Sequence, residues 1–157
     1  GGQVRQCSKC DTVHYPRTDP VVITVVSDHD RCLLGQSRGR VASTNRFSAL
    51  AGFVDQGESI EEAVAREVME EAGISVKNVR YHSSQPWPFP SSLMIGCHAD
   101  AATMDISIDD EEMVDVRWFQ RDEVLRALEG KSEILVVPGP IAIAHHLIKA
   151  WATNHIQ

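Results

Sequence analysis

The stretch GFVDQGESIEEAVAREVMEEAGI, residues 52–74, decides the fold of this chain. Its second half predicts a helix over residues 59–72. Ser59 and Glu62 have the spacing of a capping box, in which each side chain bonds the backbone N–H of the other residue. Gly73 follows as a helix stop signal. An apolar residue recurs every four positions and gives the helix a buried stripe, formed by Ile60, Val64 and Val68.

Three carboxylates share another face of this helix, because Glu67, Glu70 and Glu71 are spaced at i, i+3 and i+4. They repel one another, and they lie near the helix C-terminus, where the dipole disfavours negative charge. The simplest missing partner is a cation, and oxygen ligands favour Mg²⁺ or Mn²⁺ over zinc. Arg66 lies beside them, with Glu58 as its expected partner. The alternative is a solvated acidic face, which is the commoner explanation of a charge run.

The fixed positions of this stretch resemble the Nudix box, complete at each position, and they are Gly52, Glu58, Arg66, Glu67, Glu70, Glu71 and Gly73. The Nudix family hydrolyses nucleoside diphosphates linked to another group, using divalent metal. The resemblance implies an α/β fold, a Nudix α/β/α sandwich with a mixed central sheet. It also favours the metal site over the solvated acidic face.

The resemblance further implies which residues act. Glu67 and Glu71 match the principal metal ligands, and Ala51 matches a backbone-carbonyl ligand. Glu112 matches a later acidic ligand, and Glu70 would bind a second metal or orient water. The implied mechanism is metal-assisted attack of water on a diphosphate phosphorus, with Glu67, Glu70 and Glu71 as catalytic carboxylates. The carboxylate that takes the proton stays open.

A second motif, SQPWPFPSS at residues 84–92, follows the box. Its prolines stiffen it and two aromatic rings stand out. Alone, it would be a rigid surface loop or a proline-rich ligand for another domain. After a Nudix box, it is similar to the signature of the NADH pyrophosphatase subfamily. That resemblance implies nucleotide contacts from Gln85, Pro86, Trp87, Pro88, Phe89, Pro90, Ser91 and Ser92.

Three further substrate residues come from the same resemblance. Tyr15 and Phe53 match aromatics that pack on the nicotinamide side, and Ala144 matches a backbone contact. Tyr15 would be offered across a dimer interface, so a homodimer is expected. The alternative for Phe53 is packing in the core.

The cysteines fall into two groups. Cys7 and Cys10 resemble half of the zinc ribbon that precedes the catalytic domain in this subfamily. We therefore divide the chain into a partial zinc-ribbon segment, residues 1–16, and a Nudix hydrolase domain, residues 17–157. A structural zinc needs four ligands, and the other pair is expected upstream, so this Zn²⁺ site is expected to be incomplete even if His14 contributes. Cys32 and Cys97 lie in apolar stretches and are expected to be reduced core residues.

Composition limits the function classes. A chain of 157 residues can form one domain with a core, and its net charge of −7 argues against a general nucleic-acid surface. It contains no long apolar run or signal-peptide pattern, so we expect a cytoplasmic protein that does not bind membranes.

The remaining patterns predict alternating strands and helices. Strands are expected at residues 21–26, 32–36, 47–54, 76–83, 93–99 and 114–119, with a hairpin turn at 28–30, a polar loop at 39–45 and an acidic connection at 106–112. A short helix is expected at 121–129, and a C-terminal helical stripe is formed by Ile141, Ala144, Ile148 and Trp151.

The expected function is hydrolysis of NADH or NAD to nicotinamide mononucleotide and AMP. NAD-capped RNA, cut at the same bond, is a related substrate. Three alternatives remain: an ADP-ribose or ADP-sugar pyrophosphatase, a non-catalytic nucleotide sensor on the Nudix fold, and a zinc-ribbon nucleic-acid binder. The intact Arg-Glu-x-x-Glu-Glu core, residues 66–71, argues against the sensor, and the acidic charge argues against the nucleic-acid binder.

Overall fold

A computed structural model describes residues 3–38, 45–108 and 110–154. In these ranges the chain forms a two-stranded hairpin, a six-stranded sheet and three helices. The elements in chain order are β1 (Arg5–Gln6), β2 (Val13–His14), β3 (Asp19–Asp28), β4 (Arg31–Ser37), β5 (Leu50–Phe53), α1 (Ile60–Ala72), β6 (Val76–Trp87), β7 (Ser92–Ala101), β8 (Met113–Gln120), α2 (Arg121–Leu128) and α3 (Ile143–Ala152).

The large sheet is mixed. Its strand order is β6-β7-β3-β4-β8, and β5 also pairs with β3. Strand β3 runs parallel to β7, whereas every other pairing in this sheet is antiparallel. Strand β3 therefore lies at the centre, and its sequence is a nearly continuous apolar run because both faces of a central strand are covered.

Helices cover both faces of the sheet. Side chains of β3 alternate, so Val22 and Val26 pack with helix α1, whereas Ile23 and Val25 pack with α2 and α3. This arrangement confirms the predicted α/β/α sandwich with a mixed central sheet. None of the helices in the described ranges is long and apolar enough to cross a membrane.

Local signals set both ends of helix α1, as the sequence predicts. The Ser59 hydroxyl accepts from the Glu62 N–H at 3.2 Å, and the Glu62 carboxylate accepts from the Ser59 N–H at 2.8 Å. Gly73 ends the helix in the left-handed conformation, with φ of 68°. Val64 and Val68 are buried, so the predicted apolar stripe is confirmed there.

The proline-rich segment differs from its prediction as a loop. Strand β6 continues through Gln85 and Pro86 to Trp87, four residues beyond the expected end. Proline has no N–H to give to a neighbouring strand, but β6 is at the edge of the sheet and pairs only with β7. A proline is therefore tolerated in this strand.

Two other expectations need correction. The strand expected at 47–54 is shorter, because only Leu50–Phe53 forms β5, while Ser48 makes an isolated bridge to Gly35. Ile141 is 80% exposed and precedes helix α3, so it does not belong to the buried stripe. Most of the loop expected at 39–45 and Asp109 of the acidic connection lie outside the described residues.

The cap of helix α1 generates a stability prediction. Gly73 and Gly130 both have positive φ, of +68° and +71°, but only Gly73 is closely packed. A Cβ at Gly73 would lie 2.8 Å from the Ser107 Cβ, whereas one at Gly130 would meet nothing within 4 Å. Gly130→Ala should cost about 1 kcal/mol of unfolding free energy from backbone strain, and Gly73→Ala about 1–3 kcal/mol more from overpacking.

Urea unfolding of the two variants and the parent chain measures this difference. Equal losses in the two variants would show that the Ser107 backbone yields to the extra methyl group.

Candidate active site

Strand β5 and helix α1 place two carboxylates against a glycine. Gly52 pairs with Val22 at the centre of the sheet, and Glu67 lies directly above it. A Cβ on Gly52 would lie 1.9 Å from the Glu67 carboxyl carbon. Only a residue without a side chain allows this approach. The fixed glycine that opens the box therefore makes room for a fixed glutamate fifteen residues later.

Glu71 is one turn further along the helix and is nearly enclosed. Its side chain accepts a hydrogen bond from the Ala51 N–H at 3.2 Å, and only 7% of the residue is exposed. Burial raises the pKa of Glu71 to about 8, and the nearby Glu67 carboxylate adds to this effect. Burial also raises the pKa of Glu67. The site therefore concentrates negative charge where water cannot solvate it fully.

Arg66 organises the acids around it. Its guanidinium donates to Glu58 at 2.6 and 2.9 Å, to Glu67 at 2.9 Å and to Glu70 at 2.9 Å. It also donates to the backbone carbonyl of Phe53 at 2.8 Å. The expected pairing of Arg66 with Glu58 is confirmed, and it holds the pKa of Glu58 near 2. One arginine thus ties the loop before the helix to the acidic face of the helix.

Glu70 has different surroundings from the other two acids. Its side chain is 51% exposed and bonds Arg66, whereas the Glu67 side chain is 12% exposed. The i, i+3, i+4 spacing therefore gives three carboxylates in three environments, rather than one uniform solvated face.

A cavity of about 420 Å³, here named the carboxylate cavity, opens beside these groups. Glu112 lies on its wall together with Glu67, and it also interacts electrostatically with Glu71. Phe53 lines the cavity and is 58% exposed, so the core-packing alternative for this ring is wrong. The residues lining the cavity are Val21, Ala51, Gly52, Phe53, Asp55, Glu67, Ser92, Met94 and Glu112.

A second cavity of about 100 Å³, the aromatic cavity, brings together part of the proline-rich segment and helix α3. Of the expected substrate residues, Gln85, Trp87 and Ala144 line it. Ala144 is buried at the start of the helix, with 3% exposed. The complete lining is Ile23, Ser48, Gln85, Trp87, Met94, Pro138, Ala142, Ile143 and Ala144.

Gln85 already has protein partners. Its side-chain amide donates to the Ile141 carbonyl at 2.8 Å and accepts from the Ile143 N–H at 2.8 Å. The N-cap residue of helix α3 is Ala142, whose methyl side chain cannot form a capping hydrogen bond. Gln85 therefore supplies the missing cap from strand β6, a structural role that the sequence did not predict.

The rest of the proline-rich segment lies further out. The Trp87 and Phe89 rings meet edge to face with centroids 5.6 Å apart, and Phe89 is 74% exposed. The Ser91 hydroxyl donates to Asp19 at 2.7 Å, and Ser92 reaches the carboxylate cavity. The prolines Pro86, Pro88 and Pro90 are exposed.

The N-terminal hairpin carries the remaining expected residues. Tyr15 is 76% exposed, just after strand β2. The thiols of Cys7 and Cys10 are free, and the Cys10 Sγ lies 3.1 Å from the Thr12 hydroxyl. Cys32 and Cys97 are free and buried, so that expectation is confirmed. Within the described ranges, no three His, Cys, Asp or Glu side chains are gathered as a preformed metal site.

Sequence reasoning missed Ser48 and Met94, which line the cavities. Met94, on strand β7, is the cross-strand partner of Gln85 and lines a cavity together with Ala51 and Glu71. The strand pairing of β6 with β7 would have pointed to Met94. Ser48 carries no such signal, because it lies outside the regular strands.

Comparison with known proteins agrees with this geometry. The NUDIX domain model matches residues 16–137, most of the chain, so the chain belongs to the Nudix family. A crystal structure of a NUDIX hydrolase from Nitrosomonas europaea superimposes with a TM-score of 0.74 at 22% identity, covering 97% of this chain and 81% of that one. That likeness concerns the fold.

Curated relatives are closer in sequence. The NAD-capped RNA hydrolase NUDT12 of Macaca fascicularis is 51% identical over 162 residues, covering 96% of this chain and 35% of the relative. The mitochondrial NAD(P)H pyrophosphatase NUDT13 of Mus musculus is 46% identical, covering 96% of this chain and 46% of the relative. These relatives confirm the resemblance to the NADH pyrophosphatase subfamily. The chain spans less than half the length of each.

The Arg66 network leads to a second stability prediction. Arg66→Ala removes the common donor of three carboxylates and one carbonyl, so we expect a loss of about 2 kcal/mol of unfolding free energy. Thermal unfolding in the presence of a chelator measures this loss without bound metal. Lys131→Ala is the control, because the Lys131–Glu129 pair has side chains 71% and 60% exposed and such pairs contribute little. An unfolding midpoint equal to that of the control would mean that solvent replaces Arg66 at no cost.

Proposed function

We propose that this chain hydrolyses the diphosphate bond of NADH or NAD, giving reduced or oxidised nicotinamide mononucleotide and AMP. The observation that carries the proposal is the carboxylate cavity, where Glu67 and Glu112 share a wall with Phe53 and Glu71 lies behind Ala51. The cavity puts acidic oxygens for a cation next to an exposed aromatic ring.

The donor set suits Mg²⁺ or Mn²⁺, which enzymes of this family generally use. Glu67, Glu71 and Glu112 offer carboxylate oxygens, and hard cations prefer oxygen. The N–H and C=O of one strand residue point to the same side of the strand. The Ala51 N–H bonds Glu71, so its carbonyl is directed to the same side. Buried, mutually repelling carboxylates are stabilised when a cation joins them.

The chain's own residues divide the remaining work. A bound divalent cation supplies a Lewis acid for the diphosphate and lowers the pKa of the attacking water. Arg66 fixes the orientation of Glu67, and Gly52 allows Glu67 to reach the cavity. One of Glu67, Glu70 and Glu71 accepts the proton that water releases when it attacks phosphorus. AMP and the mononucleotide leave as the two phosphate products.

Aromatic rings supply the specificity. Phe53 is exposed at the cavity and is suited to stack on the nicotinamide ring, with Tyr15 contributed by a second copy of the chain. Trp87 and the Ala144 backbone, which line the aromatic cavity, are suited to bind the adenine. The exposed Pro86, Pro88, Phe89 and Pro90, with Ser91 and Ser92, would shape the rim. Homodimer formation stays a prediction.

NAD-capped RNA is the second candidate substrate. The relative from Macaca fascicularis carries that activity in its name, and the bond cut is the same one. The zinc-ribbon segment at residues 1–16, the domain division at residue 17, the bound Zn²⁺ and the cytoplasmic location stay predictions.

The first test is an assay of NADH turnover, with AMP measured as the product. Turnover should be lost after dialysis against a chelator and should return with Mg²⁺ or Mn²⁺. Full turnover in a sample verified as metal-free contradicts the mechanism. AMP release from ADP-ribose with no release from NADH would instead assign the chain to the ADP-sugar pyrophosphatases.

The second test concerns the Phe53 ring. ADP-ribose lacks the nicotinamide, so kcat/KM for NADH should exceed that for ADP-ribose by about 1–3 kcal/mol in transition-state binding, by analogy with base–aromatic stacking. Phe53→Ala should reduce this preference. Glu71→Gln should lower the turnover of NADH and of ADP-ribose by the same factor, mainly through kcat. The reason is that this change removes the charge of a metal ligand and leaves the aromatic ring in place.

Matched controls accompany both variants. Tyr81→Ala removes an aromatic ring that is also 58% exposed but lies on strand β6, outside the carboxylate cavity. Glu61→Gln removes an exposed carboxylate from the first turn of the same helix as Glu71. Neither control should alter turnover. Unchanged discrimination in Phe53→Ala would leave Trp87 and Phe89 as the candidate rings.

A further inference from the structure

The carboxylate cavity is one end of a branched cleft. It shares Ala51 and Met94 with a central cavity of about 190 Å³, which also contacts Glu71. The central cavity meets the aromatic cavity at Ser48, and at the same residue it meets a fourth cavity of about 180 Å³, here named the arginine cavity. The cleft therefore divides at Ser48 into an aromatic branch and a second branch. The arginine cavity is lined by Gly35, Gln36, Ser37, Arg46, Phe47, Ser48, Val136, Val137 and Pro138.

Charge is distributed unevenly along this cleft. The carboxylate and central cavities carry Asp55, Glu67, Glu71 and Glu112. Among the described residues that line the four cavities, the one cationic side chain is Arg46, which belongs to the arginine cavity. An anionic group bound away from the metal would be repelled by the acids and attracted by Arg46.

Arg46 is available for a ligand. It is exposed, and it forms no ion pair or side-chain hydrogen bond with another described residue. Two other arginines do have partners: Arg38 donates to the Asp110 carbonyl, and Arg117 pairs with Asp115. Arg46 is thus a guanidinium at the wall of a cavity, and its planar donors match two phosphate oxygens at once.

We propose that Arg46 binds an additional phosphate group on the adenosine ribose of the substrate. This inference rests on the proposed function. With the diphosphate at the carboxylate cavity and the adenine in the aromatic branch, the ribose between them lies at Ser48. A phosphate on that ribose then enters the arginine cavity. Two substrates carry such a group: NADPH has a 2′-phosphate, and NAD-capped RNA has a 3′-phosphodiester.

Binding of three small probes tests the inference without turnover. The probes are AMP, adenosine 2′,5′-bisphosphate and adenosine 3′,5′-bisphosphate, titrated with Mg²⁺ present by calorimetry. At least one bisphosphate should bind about tenfold more tightly than AMP, as one charge-assisted contact allows. The difference in affinity between a bisphosphate and AMP, here called the gap, should disappear in Arg46→Gln, while the affinity for AMP stays unchanged. Arg46→Lys should keep part of this gap. Arg126→Gln is the control, since Arg126 is an exposed arginine on helix α2.

The pattern across the probes identifies the source of the phosphate. A gap for the 2′ probe alone supports an NADPH-type ligand, and a gap for the 3′ probe alone supports an RNA chain. A gap for both supports a site that accepts either. The inference is overturned if both bisphosphates bind within about twofold of AMP, or if Arg46→Gln keeps the full gap. Absence of NADH turnover in the parent chain would overturn the proposed function separately, because the binding measurement does not depend on catalysis.

Discussion

The site depends on the close approach of Glu67 to Gly52. Strand β5 is held flat against the central strand β3, and helix α1 crosses above it, so a glutamate carboxylate occupies the space where a side chain on the strand would otherwise be. Helix and strand are positioned by a buried apolar interface, through Val64, Val68 and Val22. The apolar core therefore fixes the distance between the acids and the strand backbone, a distance that loops alone could not hold.

The same packing creates an electrostatic cost that the chain offsets only in part. Glu71 lies in a nearly closed space beside Glu67. The Arg66 guanidinium donates hydrogen bonds to the more exposed acids, which are Glu58, Glu67 and Glu70, but not to Glu71. Burial and the neighbouring Glu67 raise the pKa of Glu71 to about 8, so its carboxyl group favours a bound proton at neutral pH. Such a group is poorly suited to stabilise the fold and well suited to receive a cation. Glu67 therefore has two roles, as a partner of Arg66 and as a proposed metal ligand, whereas Glu71 is suited mainly to binding the cation.

The features that the sequence predicted best are those set by short-range interactions. The capping box at Ser59 and the glycine at Gly73 define helix α1 because their bonds span only a few residues. The strand of the proline-rich segment was missed because tolerance of Pro86 depends on β6 lying at the sheet edge, which is a tertiary fact. The sequence also left two alternatives for Phe53, a substrate contact or a core residue, because an aromatic residue in a strand can lie on either face of the sheet. Ser48 and Arg46 were missed because a branched cleft joins elements that are distant in sequence.

Gln85 carries a consequence for how a substrate would be received. Its amide joins strand β6 to the backbone at the start of helix α3 through two hydrogen bonds. A ligand entering between Trp87 and Ala144 meets walls that are already in place. The entropy of ordering them was lost when the chain folded, so binding is spared that loss. We therefore expect substitutions that break the two Gln85 hydrogen bonds to lower the affinity for the ligand, even where every atom that touches the ligand is unchanged.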